Sequence, residues 1–132
     1  MRYCIAAMLF LVLTGCNQKN SMYYWQNPDK LKVALAKCPM KKPKGSTCDQ
    51  LTMIASKFQY LGNELKKNPQ LFGLHIIALQ QKISHLEQSL QKKQDTDLAK
   101  KLKDEKSTLE QYLAVVSFYE SPRGTKDEDI SQ

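Results

Sequence analysis

Arginine is almost missing from this chain of 132 residues: Arg2 and Arg123 are the only two, and lysine supplies the rest of the 20 basic side chains. Bidentate and stacked recognition of phosphates and bases leans on the guanidinium group, so no nucleic-acid partner is expected despite a formal charge of +7. Lysines spread along helices read first as a solvated face. The five glycines are scattered, which excludes a glycine-rich phosphate loop. No alternating strand pattern occurs, nor any repeat with a period of about 20–50 residues. The longest apolar run, Ile5 to Leu13, is about half of the roughly 20 residues needed to cross a hydrocarbon core.

Histidine is as rare as arginine. His75 and His85 are ten residues apart; on one helix they point about 80° apart and lie about 15 Å apart along the axis, too far to share a metal. The serines carry no G-x-S-x-G turn, and no pair of buried acids can be inferred for glycoside chemistry. No catalytic residue, metal site or cofactor is assigned, and an enzyme is not expected.

The chain opens with "MRYCIAAMLFLVLTGC", one positive residue, then the short apolar run, then small and polar residues. This is the layout of a signal peptide over residues 1–15. Where an A-x-A-like cleavage site would stand, Leu13-Thr14-Gly15-Cys16 resembles the bacterial lipobox. The resemblance implies that Cys16 becomes the lipidated first residue of the mature protein. Several acyl chains on one residue anchor stably, since each buried methylene contributes about 0.8 kcal/mol. Asn17 stands where an aspartate would favour inner-membrane retention, so attachment to the outer membrane, facing the periplasm, is expected. Residues 16–26 would form a lipidated tether, in which Tyr23, Tyr24 and Trp25 either dip into the headgroup layer or, as favoured here, cover the helices that follow.

Removal of Cys4 with the leader and acylation of Cys16 leave Cys38 and Cys48. An even pair in an oxidising compartment reads as a disulfide. Closing a loop of about ten residues contributes roughly 2–3 kcal/mol. A zinc site would place its cysteines two to four apart, usually in two pairs.

The fold class expected is all-α: a short disulfide-stapled helical hairpin over 27–67, then a long antiparallel coiled-coil helical hairpin over 68–120. Asn27 as N-cap, Pro28 and Asp29 begin the first helix, whose Leu31, Leu35 and Cys38 share a face. Thr47 and Gln50 make a capping box for the second, with Leu51, Ile54, Ala55, Phe58, Leu61 and Leu65 inward. Asn68 and Pro69 start the third, where Phe72, Ile76, Leu79, Ile83, Leu86 and Leu90 form a heptad seam. Asp95 or Thr96 caps a fourth carrying Leu98, Leu102, Leu109, Leu113 and Val116. A single continuous helix is the alternative, because "QKKQDTD" holds neither glycine nor proline. Residues 121–132 read as a disordered acidic tail.

An aromatic cluster followed by N-P-x-x-L-x-x-x-L-x-x-C and a second cysteine, just after a lipobox, is similar to the small entry-exclusion lipoproteins encoded with conjugative type IV secretion systems. The similarity covers about residues 13–55. It implies a non-enzymatic envelope lipoprotein, bound to the membrane through its lipid anchor and contacting other cell-envelope proteins as an accessory of such a machine or as an exclusion factor. Partner contacts are expected around Lys82, Lys92, Lys93 and Lys100, and a homo-oligomer through the coiled-coil faces is a further expectation. Capture of haem or another apolar ligand by His75, His85 or a tyrosine is the alternative.

Overall fold

Capping chemistry sets where each helix begins. The computed structural model describes residues 21–43 and 45–122, and all of these are helices and the turns between them. In chain order they are α1 (Ser21–Gln26), α2 (Pro28–Ala36), α3 (Cys48–Lys67), α4 (Pro69–Lys92) and α5 (Thr96–Glu120). The leader, Cys16 and the tail beyond Pro122 lie outside the described residues. At the start of α3 the Thr47 hydroxyl accepts from the Gln50 amide at 3.1 Å while the Gln50 side chain accepts from the Thr47 amide at 2.9 Å. Asn68 Oδ1 accepts from the Leu71 amide at 2.9 Å, so a single residue ends α3 and starts α4. Asp95 Oδ1 accepts from the amides of Asp97 and Leu98. The chain therefore breaks at Lys93–Asp95, and the long segment is a hairpin, not one helix.

Asn27 departs from expectation. Its side chain makes no cap bond to α2; its Nδ2 donates instead to the Tyr23 carbonyl at 2.9 Å. The end of α1 leaves carbonyls without partners and Pro28 offers no N–H, so the amide turns back to the helix that needs a donor. The first helix also stops at Ala36, placing Cys38 in the turn beyond it and not on the helix.

α2 and α3 form the short hairpin, joined by the Cys38–Cys48 disulfide with Cα atoms 5.9 Å apart. α4 and α5 form the long one. Every expected seam position of α4, from Phe72 to Leu90, is buried or half-buried. Phe72 stacks beside Tyr112 with ring centroids 4.7 Å apart, and ion pairs join Lys82 to Glu105 and Glu87 to Lys106. From the ring pair to the two ion pairs the position advances along α4 and falls back along α5, which is the antiparallel register.

The two hairpins share one core. Tyr24 and Trp25 of α1, Leu31 of α2, Leu51, Ile54, Phe58 and Leu61 of α3, Phe72 of α4, and Val115 and Phe118 of α5 form a single buried cluster. Residues 21–26, expected within the tether, are thus helical and belong to the body. The α5 stripe also differs at its end: Leu113 is exposed, and Tyr112, Val115 and Phe118 turn inward. α4 pairs with α5 along the hairpin, Met22 of α1 borders the first half of α5, and the last turns of α5 join the core shared with α1 and α3, so the buried face there is set by more than one neighbour and leaves Leu113 out.

At Gly62 the Tyr119 ring of α5 lies directly against the α3 backbone. A Cβ there would meet the Tyr119 ring, with its Cζ at 2.7 Å. Around a Cβ at Gly73 there is nothing within 4 Å. Alanine therefore acts with opposite sign at the two sites. Gly73→Ala should stabilise by about 0.5–1 kcal/mol through helix propensity. Gly62→Ala gains the same but displaces the Tyr119 ring, for an expected net loss of about 1 kcal/mol. Urea unfolding of both variants measures the difference.

Candidate functional site

The long hairpin extends away from the shared core, and its outer surface holds the residues singled out for partner contact. Lys92 ends α4, Lys93 is its C-cap and Lys100 lies in the early turns of α5, so these three gather at the hairpin tip. Lys93 Nζ is 4.0 Å from Asp95 Oδ2. Lys82 stands apart from them. It lies ten residues before Lys92, about 15 Å down the helix, and its ammonium pairs with Glu105 across the hairpin. Glu105 occupies a seam position of α5 and its side chain is largely covered. Lys82 is thus part of the hairpin's own register as well as its surface.

A second feature of the hairpin is apolar. On α4, Leu71, Leu74 and Ile77 are 45%, 59% and 49% exposed. Their spacing of three places them on the side opposite the seam residues Phe72, Ile76 and Leu79. The sequence signal was present in "LFGLHIIAL": these nine residues hold more apolar side chains than one buried face can take. The heptad stripe takes up only part of them.

His75 lies between the two surfaces. Its ring centroid is 6.4 Å from that of Tyr112, and it borders two depressions. One, of about 40 Å³, is lined with Tyr60, Glu64, Asn68, Leu71, Phe72 and Tyr112. The other is an open groove of about 280 Å³ formed with Ala78, Leu79, Lys82, Thr108 and Tyr112. His85 is exposed further along α4, and its backbone carbonyl accepts from Ser89 Oγ at 2.9 Å. The two histidines are not brought together.

Among the described residues no group of three His, Cys, Asp or Glu side chains could hold a metal ion. Among the same residues no helix is long and apolar enough to cross a membrane. Cys38 and Cys48 are joined, which removes both thiols from nucleophilic chemistry. Comparison of the chain with models of known families, with curated proteins and with solved structures finds no match.

Tyr112 titrates above its ordinary value of 10.0, first because burial disfavours the phenolate and then because Tyr60 and Glu64 add negative potential. The folded state therefore holds this proton more tightly than the unfolded chain. Its contribution to stability is complete below pH 10 and is lost as pH rises through the raised folded value. In an alkaline absorbance titration Tyr112 should ionise later than an exposed tyrosine. Tyr112→Phe should remove that late component and reduce alkaline destabilisation.

Proposed function

We propose that this chain is a non-enzymatic cell-envelope lipoprotein, held by Cys16 to the periplasmic face of the outer membrane, whose long hairpin docks onto other envelope proteins as an accessory of a type IV secretion machine. The observation that carries the docking reading is the apolar stripe Leu71, Leu74 and Ile77 on the outer side of a hairpin that already buries its own seam. A soluble face that leaves three adjacent large aliphatic side chains in water supports a role in protein contact. The lysines at the tip, Lys92, Lys93 and Lys100, would form a polar rim and steer acidic partners.

The anchoring reading rests on the lipobox-like Leu13–Cys16. Burial of Tyr24 and Trp25 in the core gives it a consequence. From Cys16 to Ser21 there are five residue steps, which span at most about 17 Å. The body would stand close to the lipid surface, with the hairpin projecting from it.

A second reading, capture of a planar apolar ligand such as haem, has in its favour that His75 and Tyr112 border the same open groove. Haemin titration distinguishes it: a Soret shift abolished by His75→Ala supports ligand capture, and an unshifted band removes it.

Two experiments test the main reading. Mass spectrometry of the chain extracted from membranes should find an N-terminus at Cys16 carrying diacylglycerol; an unmodified N-terminus elsewhere contradicts the anchor. Leu74→Asp with Ile77→Asp should leave helicity intact and reduce cross-linking to an envelope partner at least tenfold, as loss of about 1.4 kcal/mol or more of contact energy requires. Unchanged cross-linking rejects this face. Because Lys82 pairs with Glu105, its charge is tested by the exchange Lys82→Glu with Glu105→Lys, which keeps the bridge.

A further inference from the structure

The turn between α2 and α3 combines features that neither the hairpin seam nor the core explains. Met40 is 93% exposed, more than any other large hydrophobic residue described. Val33, seven residues earlier, is also exposed, on the side of α2 away from Leu31. Around them Lys30, Lys32, Lys37, Lys41 and Lys42 are all exposed, and between Asn27 and Pro43 the only acid is Asp29, in the first turn of α2. The disulfide fixes both ends of this turn to the body. An apolar tip ringed by lysines is poorly suited to water. It is well suited to an interface whose interior is apolar and whose surface is anionic.

Its place in the molecule points the same way. Ser21, the first described residue, lines one groove with Trp25, Gln50, Met53 and Lys57. Gln50 follows Cys48 by two residues, so Ser21 lies beside the first half of α3, on the side of the staple. Met53, also strongly exposed, lies in that groove. A body tethered here would bring its lysine-ringed turn to the lipid surface rather than away from it.

We propose that the stapled turn is a lipid-contact site: Met40 enters the headgroup layer of an anionic bilayer, and Lys37, Lys41 and Lys42 lie against its phosphates. The occupant is an anionic lipid surface. The placement argument rests on the anchoring reading above; the chemistry of the turn does not. The lipid anchor and the turn would then act as two attachments, which fix the orientation of the body where a single flexible link would leave it free to rotate.

The test uses a chain beginning at Asn17, which keeps every buried core residue, since these run from Tyr24 to Phe118, and lacks both leader and anchor. Sedimentation with phosphatidylcholine vesicles containing about a quarter phosphatidylglycerol should recover it, with binding that falls as salt rises, while pure phosphatidylcholine should not. Lys41→Gln with Lys42→Gln should weaken binding about 25-fold, at about fivefold per lysine. Met40→Asp should weaken it while Met40→Leu does not, and circular dichroism should be unchanged in each because these side chains are exposed. Equal recovery of all variants, or no binding to the anionic vesicles, overturns the proposal. Recovery on an acidic protein but not on vesicles overturns it equally. Failure of the anchor would appear separately, as a Cys16 without lipid.

Discussion

The Phe58 ring is the point on which the body depends. It is fully buried on α3, and its neighbours come from both ends of the chain: Trp25 of α1 with centroids 5.8 Å apart, and Phe118 and Tyr119 of α5 at 5.5 and 6.4 Å. Edge and tilted ring contacts of this kind add to the area they bury. Without this junction α1 would be six residues with no capacity to stay helical alone, because so short a helix cannot offset its nucleation cost. Lys66 over the Tyr119 ring at 5.0 Å and the bare Gly62 backbone beneath it complete the same junction from outside.

From that junction the rest of the architecture follows in two directions. Toward the stapled end, the disulfide and the capping box hold α2 against α3, so a nine-residue helix keeps its place with Leu31 and Pro28 as its buried contacts. Away from it, α4 and α5 continue beyond the core as a two-helix seam whose register is marked by Phe72 with Tyr112, Lys82 with Glu105 and Glu87 with Lys106. Surface pairs contribute little to stability. Their value here is in fixing which turn faces which. The result is a well-packed body and a thin two-helix element carrying apolar and basic surface.

Much of this was legible because it is written in local chemistry. Thr47 with Gln50, Asn68 with Pro69, and Asp95 are capping signals that need no tertiary partner, and each starts its helix where the spacing predicts. The α3 face and the α4 seam follow from periodicity for the same reason. What periodicity could not give was the direction of residues that touch more than one neighbour. Leu113 fits a heptad stripe as well as Tyr112 does, and only the packing of α1 and α3 against α5 decides between them. Asn27 stands at the start of α2 as its position predicts, but that its side chain turns back to the Tyr23 carbonyl follows only from the helix that precedes it. Charge alone marks Lys82, Lys92, Lys93 and Lys100 as a surface, and it carries no sign that Lys82 already has a partner in Glu105.

α1 is a structural member of the body and not the end of a loose tether. Trp25 is the only tryptophan in the chain and lies in α1, whereas far-ultraviolet circular dichroism reports mainly the long helices α3, α4 and α5. Urea unfolding followed by both signals should give coincident transitions, with Trp25 emission blue-shifted until the whole body unfolds. A Trp25 signal that is already that of exposed indole in water, or that changes well before the helical signal, would contradict it.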